Sequence, residues 1–132
     1  MARRTYTLLL WLALPVLIIR LWWRGRREPG YRKAVFERFG FFSESDRVVP
    51  RTPLIWIHAV SLGETRAAVP LVRELSRRLP ESRLLVTHMT ATGRESARAL
   101  FQGRALFAWL PYDYPVAARA FLRAFRPSVG IL

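Results

Sequence analysis

Twelve apolar positions run without a break over residues 8–19, with Arg3 and Arg4 before them and Arg20, Arg24, Arg26 and Arg27 after. A soluble amphipathic helix keeps a polar face, and this run has none. Extended to residues 5–23, it makes about 28 Å of helix, close to a hydrocarbon core of roughly 30 Å. Arg20 sits near one end, where it can snorkel, and Trp22 and Trp23 suit the interface. Pro15 is tolerated better in lipid than in water. A cleaved signal peptide would need a small-residue site after the apolar core, and Trp22, Trp23 and Arg24 stand there instead. The pattern therefore predicts a membrane-anchoring helix, spanning or lying in one leaflet. The basic residues after it outnumber Arg3 and Arg4, which places the remaining chain in the cytoplasm.

A different pattern follows. Residues 43–52 are polar, end at Pro53 and read as a linker. Short apolar runs at residues 54–58, 83–88, 105–110 and 128–132 then alternate with helical periodicity at residues 64–79, 93–101 and 115–125. In the first helix, Ala68, Leu71, Val72, Leu75 and Leu79 fall at core-facing spacing. Strands separated by helices of this length predict right-handed crossovers and a parallel, Rossmann-like α/β sheet. The division is residues 1–27 for the anchor and basic flank, 28–52 for a juxtamembrane basic segment and linker, and 53–132 for the Rossmann-like domain. The chain stops inside an apolar run, so we expect it to be the amino-terminal piece of a longer protein.

Charge sharpens this picture. The formal net charge is +13, and Lys33 is the only lysine. Such a balance suits nucleic acid, anionic lipid or a phosphorylated substrate. The basic residues cluster beside the apolar run and no nucleic-acid motif accompanies them, which favours a phospholipid surface over nucleic acid. Residues 24–38 read first as a lipid-surface retention segment, which suffices to explain them, and second as a segment that also gathers an anionic lipid. Without cysteine, and with only His58 and His88, neither disulfides nor a metal site are expected. The two histidines end adjacent strands and are expected to be neighbours.

Ligands of parallel sheets bind outside the carboxyl ends of the strands, here residues 59–64, 89–94 and 111–115. Ser61-Leu-Gly-Glu64 fits a helix capping box, and Thr92-Gly-Arg-Glu95 repeats the pattern. On spacing alone Glu64 is a capping carboxylate first and a general base second. Gly63 is expected to allow a tight turn and close approach by a ligand. Thr90, Thr92, Gly93 and Arg94 offer hydroxyls, bare backbone and charge at the second loop. The amides at both helix starts are candidates for phosphate or carboxylate. Asp113 reads as a turn or capping residue.

Four stretches carry a family resemblance: residues 21–40 (LWWRGRREPGYRKAVFERFG), 56–64 (WIHAVSLGE), 86–95 (VTHMTATGRE) and 110–115 (LPYDYP). In order and spacing they resemble the amino-terminal half of 3-deoxy-D-manno-octulosonic acid (Kdo) transferases. The resemblance implies a B-type glycosyltransferase half, anchored at the cytoplasmic face of the bacterial inner membrane. It implies transfer of Kdo from CMP-Kdo to an anionic lipid A precursor, with no cofactor and no metal. It makes Glu64 the general base and Ser61, Gly63, Thr90, Thr92, Gly93 and Arg94 acceptor-binding candidates. His88 stands where threonine is expected, and Ala91 where proline is frequent. The family's acidic Glu-x-Glu-Leu-Trp stretch and donor domain would follow Leu132, so this chain is expected to be inactive alone. Another membrane-associated B-type glycosyltransferase and a non-enzymatic Rossmann-like binding module are the alternatives.

Overall fold

A computed structural model describes residues 2–43 and 52–132. The expected linker falls almost wholly on residues 44–51, outside the described residues. Strands β1 (Leu54–His58), β2 (Arg83–His88), β3 (Ala105–Trp109) and β4 (Val129–Ile131) form one parallel sheet in the order β3-β2-β1-β4. Leu54 lies opposite Arg83 and His58 opposite Thr87, while Ile55 on the other side of β1 pairs with Val129.

The central strands are nearly continuous apolar runs because both sheet faces are covered. On one face Ile55, Ile57, Leu84 and Val86 pack with Val72, Ala97 and Phe101, brought by helices α3 (Val69–Arg78) and α4 (Ala91–Leu100). On the other, Leu54, Leu85 and Ala108 pack with Phe121 and Phe125 of α5 (Pro115–Phe125) and with Phe42. Strand order explains the division. Right-handed crossovers from β1 through β2 to β3 lay their helices on one face. The return from β3 to β4 runs in the opposite direction and lays α5 on the other. That reversal falls beside β1, so the carboxyl end of β1 borders the crevice where such sheets bind ligands.

Instead of one helix over residues 64–79, the chain forms α2 (Leu62–Ala67) and α3, parted at Ala68. Pro70 has no amide hydrogen to offer the Arg66 carbonyl, and its ring crowds that oxygen. It is tolerated in the first turn of the new helix, where it stands. The break shifts the helical phase. Val72 is fully buried, but Leu71 and Leu79, expected to face the core, are exposed.

Helix α1 (Ala2–Arg27) is long and apolar enough to cross a membrane. It also lies lengthwise on the domain. The Tyr6 hydroxyl donates to Asp113 Oδ2 at 2.9 Å, and the Tyr114 hydroxyl donates to the Leu10 carbonyl at 2.7 Å. The Trp11 and Tyr114 rings are 5.0 Å apart. About 22 Å along the helix from Tyr6, at 1.5 Å per residue, Leu21 is buried with Tyr31, Ala91 and Trp109. Leu10, Leu14, Leu17, Leu21 and Gly25 make the inner stripe at helical spacing, whereas Leu8, Leu12, Val16, Ile19, Trp22 and Trp23 are exposed.

The juxtamembrane segment makes two 3-10 turns, Pro29–Arg32 and Val35–Phe39, and docks on the strand ends. The Tyr112 amide donates to the Arg38 carbonyl at 2.8 Å, and Trp109 Nε1 donates to the Lys33 carbonyl at 2.8 Å. Tyr31, Glu37 and Arg38 are buried. Arg38, read from sequence as part of a lipid-facing basic stretch, thus belongs to the interior of the domain.

Candidate active site at the strand ends

At the end of β1 the chain leaves His58 in extended conformation and starts α2 at Ser61, the N-cap. Glu64 then falls at the third helical position, where its carboxylate folds back over the helix start. Glu64 Oε2 accepts from the Val60 amide at 2.9 Å, and Oε1 accepts from the Ser61 hydroxyl at 3.2 Å. The Glu64 amide reaches Ser61 Oγ at 3.5 Å. This is a capping box whose reciprocal arm reaches Val60 rather than the cap residue itself. Glu64 remains exposed. A carboxylate offers about four acceptor positions, and these contacts occupy two. Capping and proton acceptance are therefore compatible: the cap holds the carboxylate still and leaves acceptor capacity open to solvent.

Two imidazoles support this loop from below. His88 is fully buried; its Nδ1 donates to the Ala59 carbonyl at 2.8 Å, and its Nε2 has no hydrogen-bond partner. Desolvation, with smaller contributions from Arg94 and His58, pulls its pKa down to about 4, so it is neutral at neutral pH. His58 lies near the Thr87 hydroxyl, with Nδ1 at 2.9 Å. Burial lowers its pKa too, while the Glu64 charge acts in the opposite direction. Thr87 Oγ1 also accepts from Trp56 Nε1 at 2.8 Å. The histidines are the neighbours expected, and among the described residues no three histidine, aspartate or glutamate side chains cluster as a metal site would require. His88 secures the β1 exit from within the core.

The second loop meets the first through one peptide group. The Val60 carbonyl accepts from the Met89 and Thr90 amides and from the Thr90 hydroxyl, each at 3.2 Å. Thr90, not Thr92, is the N-cap of α4: its Oγ1 accepts from the Gly93 amide at 3.2 Å. The helix starts two residues before the expected point, so the Thr92–Glu95 capping box does not form. Gly93 is buried because α4 approaches α2 closely. A Cβ there would stand 3.1 Å from the Ser61 carbonyl carbon and 2.8 Å from Thr90 Oγ1. Gly63 is different from what was expected: it lies inside α2, and a Cβ would meet nothing nearer than Ser61 Oγ at 3.9 Å. It makes no turn; it leaves open space beside Glu64.

Arg94 also departs from its expected place. It is buried, and its guanidinium meets Glu37 Oε1 at 3.0 Å. Glu37 Oε2 accepts from the Trp109 amide at 2.7 Å. The pair ties the juxtamembrane turns to α4 and β3 and is closed to an acceptor sugar. Structure thus brings Ser61, Gly63, Glu64, Thr90 and exposed Thr92 to one edge, with Gly93 and Arg94 beneath them. Sequence reasoning missed Glu37 and Arg38; the one signal was that Glu37, one of two glutamates in the basic run, falls beside apolar Val35 and Phe36.

Comparisons with known proteins point to one family. The family model described as 3-deoxy-D-manno-octulosonic-acid transferase (kdotransferase) matches residues 33–132. Over its whole length the chain is 43% identical to the 3-deoxy-D-manno-octulosonic acid transferase of Bordetella pertussis, of which it covers 32%. It is 33% identical to the Haemophilus influenzae transferase of the same name, again over its whole length and 30% of that protein. A probable mitochondrial transferase of this kind from Arabidopsis thaliana is 32% identical over 98% of the chain and 28% of the relative. The chain therefore spans about a third of the length of these curated relatives. No solved structure matches it. The parallel sheet, the apolar leading helix and these matches together place the chain in the 3-deoxy-D-manno-octulosonic acid transferase family.

Proposed function

We propose that this chain is the acceptor-side part of a membrane-bound glycosyltransferase that moves Kdo from CMP-Kdo to a lipid A precursor in lipopolysaccharide assembly. One observation carries the reading: an exposed carboxylate, Glu64, held by the Val60 amide at 2.9 Å at the carboxyl end of the central strand. A sugar hydroxyl is a weak nucleophile. As its oxygen bonds to the anomeric carbon of Kdo, Glu64 takes the proton. The bond from that carbon to the phosphate oxygen breaks, and CMP leaves with the electron pair. The departing phosphate is itself a stabilised anion, which fixed dipoles and cations suffice to accommodate without a metal. Ser61 and Thr90, on the same edge, are placed to orient the acceptor.

The bilayer contact is the outer face of α1. Its inner stripe rests on the domain, so the exposed Leu8, Leu12, Val16, Ile19, Trp22 and Trp23 are the surface left for lipid. Arg20, Arg24, Arg26 and Arg27 meet anionic headgroups on the cytoplasmic side of the inner membrane. The test is a donor and acceptor panel with the full-length protein. The expected result is transfer from CMP-Kdo to a lipid A precursor, unchanged by a chelator. Transfer from a different sugar nucleotide alone, or none at all, would contradict the reading.

A further inference from the structure

A cavity of about 170 Å³ lies between α1 and the ends of β2 and β3. Three arginines line it: Arg20 and Arg24 from α1, and Arg38 from the second 3-10 turn. Arg38 is only 1% exposed, and its Nε has no hydrogen-bond partner. Its Nη2 donates to the Met89 carbonyl at 3.2 Å. Aromatic rings take the rest of its surface, with the guanidinium carbon 3.8 Å from the Trp109 centroid and 5.6 Å from that of Tyr31. Arg24 shares the Tyr31 ring at 4.7 Å.

What this cluster lacks is an anion. Among the described residues the ion pairs join Glu74 to Arg77 and Arg78, and Glu37 to Arg94; none includes Arg20, Arg24 or Arg38. Ring faces attract a cation, but a buried guanidinium without a counter-charge is costly. Arginine forks match phosphate geometry, and three converging on one cavity exceed what a carboxylate needs.

We propose that Arg20, Arg24 and Arg38 form a subsite for a membrane-borne phosphate group. Its depth follows from α1. The helix that supplies Arg20 and Arg24 also exposes Ile18, Ile19, Trp22 and Trp23, so the cavity lies where headgroups meet the apolar layer. Its position relative to Glu64 follows from Val60, whose amide binds Glu64 and whose carbonyl binds Thr90, a cavity-lining residue. A phosphorylated sugar held here keeps its acyl chains along the outer face of α1 and its hydroxyls near the Glu64 loop. That the phosphate belongs to the acceptor rests on the function proposed above; the subsite itself does not.

The test measures binding rather than transfer, with the chain in uncharged maltoside micelles and its intrinsic tryptophan fluorescence as the readout for every probe. The probes are inorganic phosphate, phosphatidic acid against diacylglycerol, and an acylated glucosamine disaccharide with and without its phosphate. We expect at least one phosphorylated amphiphile to bind tenfold or more tightly than its neutral counterpart. Arg20→Gln with Arg24→Gln, both exposed, should erase that preference without loss of helical signal. Arg26→Gln with Arg27→Gln removes the same charge outside the cavity and should preserve it. Preference for the disaccharide alone assigns the acceptor, equal preference for phosphatidic acid assigns a phospholipid headgroup, and equal affinity for inorganic phosphate overturns the membrane-borne assignment. The subsite is also overturned if phosphate confers no preference, if the Arg20/Arg24 variant retains it, or if the Arg26/Arg27 variant loses it equally. Because transfer is not measured, these outcomes are independent of whether Glu64 proves to be the base.

Discussion

Two strand-to-helix loops look alike in sequence and divide the work between them. At Ser61–Glu64 the capping hydroxyl and the carboxylate three residues on stay at the surface, where the carboxylate keeps unused acceptor capacity. At the second loop the cap moves to Thr90, Gly93 closes onto the first loop, and Arg94 turns inward to Glu37. Glu95 is left exposed, with no capping role. A hydroxyl and a glutamate at the right spacing thus make a reactive edge only where the next layer of packing leaves the carboxylate outside. The first loop offers chemistry, and the second holds it in place.

The sharpest way to break this contrast is through Glu37 and Arg94. Glu37→Gln leaves the buried arginine without its counter-charge and should destabilise the chain by about 3–5 kcal/mol, read by chemical denaturation. A loss below about 1 kcal/mol, the range of exposed pairs, would mean the second loop is not anchored there.

Acid should act on the first loop next. The pKa of His88 falls on folding from its ordinary 6.5 to about 4, so the unfolded chain binds more protons between these values. Its contribution is fully present above pH 6.5 and is lost as pH falls toward 4, in total on the order of 3 kcal/mol. His58 is shifted in the same direction. Denaturation midpoints measured from pH 7.5 to 4 should fall, and His88→Gln should flatten much of that slope.

Gly93→Ala should cost about 1–3 kcal/mol, because its Cβ would meet the Ser61 backbone, which has little room to move. Gly63→Ala, open to solvent on the other loop, should be neutral or slightly stabilising, since alanine favours the helix by nearly 1 kcal/mol. Thr90→Ala should remove about 1 kcal/mol as a lost cap, whereas Thr92→Ala should be close to silent. Thermal unfolding of these variants checks the register of α4 directly.

Much of the fold was legible because parallel strands covered on both faces are unbroken apolar runs; residues 54–58 and 83–88 are bounded by their own composition. Pro115 and Arg126 bracket α5 as clearly. The break at Ala68 also had a signal, Pro70, which the periodicity of Leu71, Val72 and Leu75 outweighed. Thr92 was chosen over Thr90 because Glu95 follows it at capping distance, and the contact that decides the register, Gly93 against Ser61, is tertiary. Glu37 and Arg94 are 57 positions apart, and no local pattern announces such a pair. Glu64 was legible for the opposite reason. Its position depends on the few residues around it, from the end of β1 to the start of α2.

The central claim is that the Glu64 carboxylate accepts the acceptor's proton, and Glu64→Gln in the full-length protein tests it most directly. Glutamine can keep the capping box, since its carbonyl oxygen still accepts from the Val60 amide, but it cannot take a proton. The account predicts that kcat for Kdo transfer falls about 10²–10⁴-fold, with the unfolding midpoint and membrane association unchanged. Turnover within a few-fold of the unmodified protein would contradict it and leave Glu64 as a helix cap alone.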